Sequence, residues 1–190
     1  MTTLETTPGP NAVVRKTSEG YATRFERDLL HPVETVWGML TQPSEIGRWY
    51  VRTDLDPHVG GRIVEHHDHV GATAEGRVSA YAPPRLFEHT WWSDRDVLRW
   101  ELGARGSGCR LVMTHRTTGP VSADGVAGWH IFLDVLEDVL GGARAEASRV
   151  PRGTVQGDRF VETEPGTGRW LDHAGLSRSY AARIPAAWQG

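Results

Sequence analysis

The chain has one cysteine, Cys109, in 190 residues. No intrachain disulfide can form, so its fold rests on a noncovalent core. This usage fits a reducing cytoplasm. Basic residues are not in excess: 21 Lys and Arg stand against 24 Asp and Glu, for a formal charge of −3. That balance argues against a nucleic-acid partner, which asks for a basic face. No apolar run approaches the roughly 18 residues that a membrane span needs. The start, Met1-Thr2-Thr3-Leu4-Glu5, lacks the basic region and apolar stretch of a secretory signal. A cytoplasmic protein with no membrane span is therefore expected. What the chain does have is tryptophan, eight residues of it. Large aromatic side chains fill cores or line pockets. The length suits one core domain with extensions.

Residues 1–20 carry Thr, Pro, Gly and Asn with little apolar pattern and read as a flexible N-terminal arm. Tyr21 to Leu29 alternates as a strand, with Tyr21, Thr23 and Phe25 on one face. Pro32 suits the first turn of a helix, and Val33, Val36, Trp37 and Leu40 follow at helical spacing. Thr41-Gln42-Pro43 ends that helix and opens a second short one with Ile46, Trp49 and Tyr50 on its apolar side. Five strand-like runs follow: Arg62–Asp68, Ala74–Tyr81, Leu86–Trp92, Val97–Leu102 and Cys109–Arg116. Turn residues separate them, among them Gly71, Pro83-Pro84 and the Gly103–Gly108 stretch. Short connections favour an antiparallel meander.

The strongest helical signal comes next. Val126, Trp129, Leu133, Leu136 and Leu140 recur at steps of three and four, with Asp134, Glu137 and Asp138 mostly outside the stripe. Asp124 is the expected cap and Gly141-Gly142 the expected end. The spacing predicts an α+β fold in which a curved antiparallel sheet of about six strands wraps round this long helix, two short helices following the first strand. The core domain is placed at residues 21–142. Residues 143–190 form a C-terminal extension with isolated anchors at Phe160, Trp170 and Trp188. Leu176, Tyr180 and Ile184 mark one short helix over Asp172–Ile184. The extension is expected to pack on the domain or on a partner, which includes a second copy of the chain.

Many spaced elements resemble the SRPBCC, or helix-grip, superfamily, which holds the START lipid-transfer domains and the birch-pollen-allergen-like proteins. The closest resemblance is to the bacterial branch related to the C-terminal domain of the activator of the heat-shock-protein-90 ATPase. The residues that carry it are Pro32, Val36, Trp37, Leu40, Thr41, Pro43, Trp49, Tyr50, Gly60, Gly61, Gly76, Val78, Pro83, Pro84, Leu86, Thr90, Trp91, Gly128 and Trp129. They span about residues 21–142 and read as fold residues, none as a shared catalytic group. The resemblance implies a helix-grip fold with a cavity between sheet and long helix. Relatives include ligand carriers, polyketide cyclases and co-chaperones.

Alternation places Phe87, His89 and Trp91 on one face of their strand, and Trp100 and Met113 on the same side of theirs. The expected cavity wall is Trp37, Phe87, Trp91, Trp100, Met113, Trp129 and Leu133, with His89 and His115 as polar accents. A mostly apolar pocket with few polar groups suits a small hydrophobic or aromatic molecule. The competing reading is a filled core with two hydrogen-bonded histidines. His66-His67-Asp68-His69 has the side chains of a zinc site. Strand alternation lets only His67 and His69 converge, so help from His58 or Glu65 would be needed. A polar strand end is preferred, and no metal or cofactor is expected. No nucleophile stands out: Ser79, Ser93 and Ser107 lie in no elbow motif, and Cys109 reads as a buried strand residue. Acid–base work by His89, His115 or Glu88 would make the same cavity a cyclase or lyase site. Three functions follow: a hydrophobic-ligand binder, such an enzyme, or a protein-interaction module.

Overall fold

The computed structural model describes residues 12–144, 148–156 and 159–189. In chain order it contains β1 (Val13–Lys16), β2 (Tyr21–Leu29), α1 (Val33–Thr41), α2 (Pro43–Ile46), β3 (Arg52–Leu55), β4 (Arg62–His67), β5 (Ala72–Ala82), β6 (Leu86–Trp91), β7 (Ser93–Arg105), β8 (Gly108–Thr117), α3 (Ala123–Leu140), β9 (Arg152–Gln156), β10 (Arg159–Glu164) and α4 (His173–Arg183).

Strands β1 to β8 make one sheet in the order β1-β2-β8-β7-β6-β5-β4-β3, with every neighbouring pair antiparallel. The sheet has eight strands rather than about six. The two unexpected ones, β1 and β3, are four residues each, too short for alternation to stand out. Strand β1 lies inside the stretch read as a loose arm. Its backbone pairs with β2 from Val13↔Arg24 to Lys16↔Tyr21, hydrogen bonding that side-chain pattern does not report. Residues 1–11 of the arm lie outside the described residues. The meander from β4 to β8 is as expected. Strand β2 then pairs with β8 along its full length, Tyr21↔Thr117 to Leu29↔Cys109.

The Gly60-Gly61 pair is a turn, as its place before β4 suggests. Gly60 has φ +84, and a Cβ on Gly61 would lie 2.1 Å from the Asp56 carbonyl oxygen. Glycine is needed at both positions, first for the left-handed backbone and then for the close approach.

Alternation sends Phe25, Arg27 and Leu29 of β2, Leu98, Trp100 and Leu102 of β7, and Cys109, Leu111 and Met113 of β8 into the interior. Helix α3 lies against that face with Val126, Trp129, Leu133 and Leu136 buried. Its N-cap is Ser122 rather than Asp124. The Ser122 side chain accepts from the Gly125 N–H at 3.1 Å. Ser122 keeps an extended backbone, whereas Asp124 is already in the first turn, where its charge favours the helix dipole.

Three acidic positions of α3 are met by arginines. Arg27 is 5% exposed and reaches Asp134 at 3.1 Å and Glu137 at 2.9 Å. Arg169, from the extension, grips Asp138 through two bonds of 2.7 and 2.8 Å. The extension therefore packs on its own domain. Helix α4 matches the expected Asp172–Ile184 to within a residue at each end. The hairpin β9–β10 is tied back where Gly153 N–H donates to His69 O at 2.9 Å. Tyr180 is 1% exposed. Its hydroxyl accepts from the Ala12 N–H at 3.0 Å and meets His130 Nδ1 at 2.7 Å. One phenol thus joins the start of the sheet, α3 and α4.

Tyr180→Phe keeps the packing and removes both contacts. It is expected to cost about 1–2 kcal/mol by urea denaturation, with the far-ultraviolet dichroism unchanged. A second expectation concerns acid. His115 packs edge-on to Trp91 at 5.1 Å, and its Nε2 finds no hydrogen-bond partner among the described residues. Burial pushes its pKa down to about 4, with Asp96 acting weakly the other way. Because the folded value lies below the ordinary one near 6.5, the unfolded chain takes up the proton first. The stability this neutral ring supplies is present above pH about 6.5 and is lost as pH falls toward 4. His115→Gln should flatten the decline of Tm between those pH values relative to wild type; an identical decline would contradict it.

Candidate functional site

The site begins with a carboxylate in the wrong kind of place. On β4, Ile63, Glu65 and His67 are all buried, at 3%, 3% and 5% exposure. An acid on an interior face must find donors, because leaving it unpaired costs several kcal/mol. Glu65 finds them on β6, on the segment after α2 and on its own strand. Its Oε2 accepts from Trp91 Nε1 at 2.6 Å and from the Tyr50 hydroxyl at 3.0 Å, and lies 3.4 Å from His67 Nε2. Its Oε1 is 4.0 Å from His89 Nε2.

Local structure delivers each donor. Trp49, 4% exposed, donates its indole N–H to the Met39 carbonyl at 2.8 Å. This clamps the α1–α2 corner, and the next residue, Tyr50, turns inward. Its ring stacks on Trp129 at 5.2 Å and meets Phe132 edge-on at 4.7 Å. Burial, with the Glu65 charge beside it, pushes the Tyr50 phenol well above its ordinary pKa, so it remains a donor. Trp91 ends β6 at a register shift. Trp92 follows in the left-handed region, φ 59, and sets its ring 4.9 Å from that of His67. A bulky residue held there is uncommon and costs backbone strain.

These side chains form one wall of a cavity of about 490 Å³. The N-terminal half of α3 forms the second wall through Gly125, Gly128, Trp129 and Phe132, and the extension forms the third through Val150, Pro151, Pro165, Trp170, Leu171 and His173. Trp170 meets Phe132 edge-on at 4.9 Å. Gly128 leaves the space between helix and extension open, since a Cβ there would find only the Trp170 ring, at 3.9 Å. At the mouth, Leu171 is 72% and Trp92 45% exposed.

Of the nine residues expected to line a cavity, Trp91 and Trp129 do so. His89 and His115 lie behind that wall. His89 stacks on Phe87 at 4.9 Å and is held at its Nδ1 by the Thr90 carbonyl. Burial lowers its pKa against the opposing pull of Glu65. Phe87, Trp100, Met113 and Leu133 are at most 4% exposed and belong to the filled core. Trp37 packs on Tyr81 at 5.4 Å, on another part of the sheet. The short helices contribute Tyr50 to the cavity instead.

Sequence reasoning missed the centre of the cluster. Glu65 was weighed only as a distant metal ligand, yet an acid between Ile63 and His67 at strand spacing signals a buried carboxylate. His67 and His69 do converge, at 5.6 Å between rings. His66 points away to Asp54 at 2.9 Å. No group of three or more His, Cys, Asp or Glu among the described residues is arranged to hold a metal ion. His69 has its pKa lowered to about 4 by burial and by neighbouring His67. Glu88 lies on the outer face, bound to Ser79, Arg99 and Arg116. Cys109 is buried, and burial raises its pKa. No helix of the described residues is long and apolar enough to cross a membrane.

Solved structures share this architecture. Protein MLL2253 from Mesorhizobium loti is 30% identical, with a TM-score of 0.59 over 64% of this chain and 98% of its own. CalU16 from Micromonospora echinospora is 20% identical, with a TM-score of 0.66 over 92% of this chain and 96% of its own. That match necessarily takes in part of the C-terminal extension, beyond the residues 21–142 that carry the resemblance. The Aha1 dimer from Colwellia psychrerythraea is 16% identical, with a TM-score of 0.55 over 63% of this chain and 95% of its own. No curated protein matches the sequence. The model of the family described as Activator of Hsp90 ATPase homolog 1-like protein matches residues 30–141, more than half of the chain, and the protein belongs to that family.

Proposed function

We propose that the protein binds a small aromatic or hydrophobic molecule in the cavity between β4, β6, α3 and the C-terminal extension. The observation that carries this reading is a space of about 490 Å³ walled by Tyr50, Trp91, Trp129, Phe132 and Trp170. Its size falls in the range of small-molecule sites, and so does its make-up of apolar rings with a few fixed polar groups. Two of those rings are locked by hydrogen bonds to Glu65, so little side-chain freedom is lost when a ligand enters. A cyclase or lyase would need a base within reach of the ligand. His89 and His115 do not line this space, so an enzyme here would have to draw its base from His67, His69 or His173 of the lining instead. The extension supplies one wall, so deleting residues 143–190 would remove ligand binding and any self-association together. A point substitution separates the readings better.

Gly128→Leu fills the cavity from the α3 side. Its Cβ has room, and replacing a helical glycine favours the helix by up to about 1 kcal/mol. Tm is expected to hold or rise, while the affinity for N-phenyl-1-naphthylamine, an uncharged aromatic probe read by tryptophan quenching, falls about tenfold or more. Unchanged affinity in a folded Gly128→Leu protein would remove the cavity as the binding site. Trp170→Ala, which opens the extension wall, should likewise weaken the probe by about threefold to tenfold, corresponding to about 0.7–1.4 kcal/mol.

A further inference from the structure

Resting on that binding site, we propose that its ligand carries a positively charged nitrogen, an ammonium or protonated amine set among the aromatic rings. Three observations converge. The first is the lining itself: its aromatic residues are joined by two acids, Asp124 and Glu162, and no lysine or arginine is among them. Arg152 stands nearby but is turned to Glu164, at 3.9 Å.

The second is Glu65. Its side chain is 5% exposed, and within 4.0 Å its ion-pair partners among the described residues are the imidazoles of His67 and His89 alone. Elsewhere in this interior the protein pairs a buried charge with a full opposite charge, as Arg27 is paired with Asp134 and Glu137. Around Glu65 it does not. The carboxylate leaves a negative field just behind the cavity wall, in surroundings where such fields are weakly screened.

The third is how that field reaches the cavity. Trp91 donates its N–H and Tyr50 its O–H to Glu65 Oε2, and both rings line the space. A donor hydrogen-bonded to a carboxylate pushes electron density back into its ring. The two rings therefore become stronger partners for a cation, the more so where water is excluded. With Trp129, Phe132 and Trp170 also lining the space, they give it an aromatic surface of the kind that attracts ammonium groups.

Two isosteres test this on the wild-type protein. Phenyltrimethylammonium and tert-butylbenzene share shape and differ in charge, and benzenesulfonate supplies the opposite sign. Titrations by tryptophan quenching and calorimetry should show the cation binding about tenfold or more tighter than tert-butylbenzene, with benzenesulfonate weakest. Glu65→Gln, checked for fold by dichroism, should shrink the cation's advantage to about twofold or less. Asp124→Asn with Glu162→Gln provides a second, surface-accessible variant expected to reduce it in part. Equal binding of the two isosteres in wild type would overturn the charge preference while leaving the cavity as a binding site. If neither isostere binds and the N-phenyl-1-naphthylamine affinity also survives Gly128→Leu, both readings fail.

Discussion

The position of α3 is set by the guanidinium of Arg27. That cation projects from β2 into the interior, 5% exposed, and is balanced by Asp134 and Glu137 one turn apart on the helix. Removing one side of such a pair strands a charge in a poorly polarisable medium, at a cost of about 3–5 kcal/mol. Apolar packing alone would tolerate a slide or a small rotation of α3 across the sheet. The charge pair does not. Once Asp134 is placed, Phe132 and Trp129 are placed with it, half a turn and more than a turn earlier on the same rod. The aromatic wall of the cavity is thus a consequence of an ion pair that lies outside it.

The same acidic row explains why the extension belongs to the site. Asp138 is gripped by Arg169, and the neighbouring Trp170 is thereby held against Phe132. Exposed ion pairs contribute little on their own. This one acts together with the buried Tyr180 hydroxyl, which meets α3 through His130 and the β1 end of the chain through Ala12. The outer side of α3 is covered here, and Ala127 and Ile131 are as buried as the residues facing the sheet. The cavity forms where that covering stops short, at glycines 125 and 128 of α3 and Gly166 of the extension.

Long periodic elements were legible in the sequence for a physical reason: β2, the meander and α3 each bury one face, and burial writes a period into the residues. Strands β1 and β3 are held by backbone hydrogen bonds at the two edges of the sheet, which leave no such trace. The site was less legible. Trp91 and Trp129 could be placed because each sits on an element whose inner face alternation or helical spacing defines. Tyr50 reads from the sequence only as part of the apolar side of a short helix, because nothing local to α2 shows that Glu65, fifteen residues later, draws its hydroxyl inward. Trp170 followed from a lone aromatic in a stretch of Gly and Arg, where no period points to a wall. Trp37, Trp100 and Met113 have the same apolar chemistry as the wall, and only the depth of the sheet assigns them to the core.

Glu65 connects these lines. A hydrophobic residue at that position would fill the same volume and would spare the desolvation of a carboxylate, and such exchanges are often neutral or stabilising. Structure alone therefore gives Glu65 no advantage. What it does supply is orientation. One oxygen collects the indole of Trp91, the phenol of Tyr50 and the edge of His67, residues that come from β6, the end of α2 and β4. Three separately encoded elements are brought to one point, and the rings they carry become the fixed wall of a cavity. A charge that packing alone would not select, placed where it turns Tyr50 and Trp91 to one point, fixes the geometry of the cavity wall.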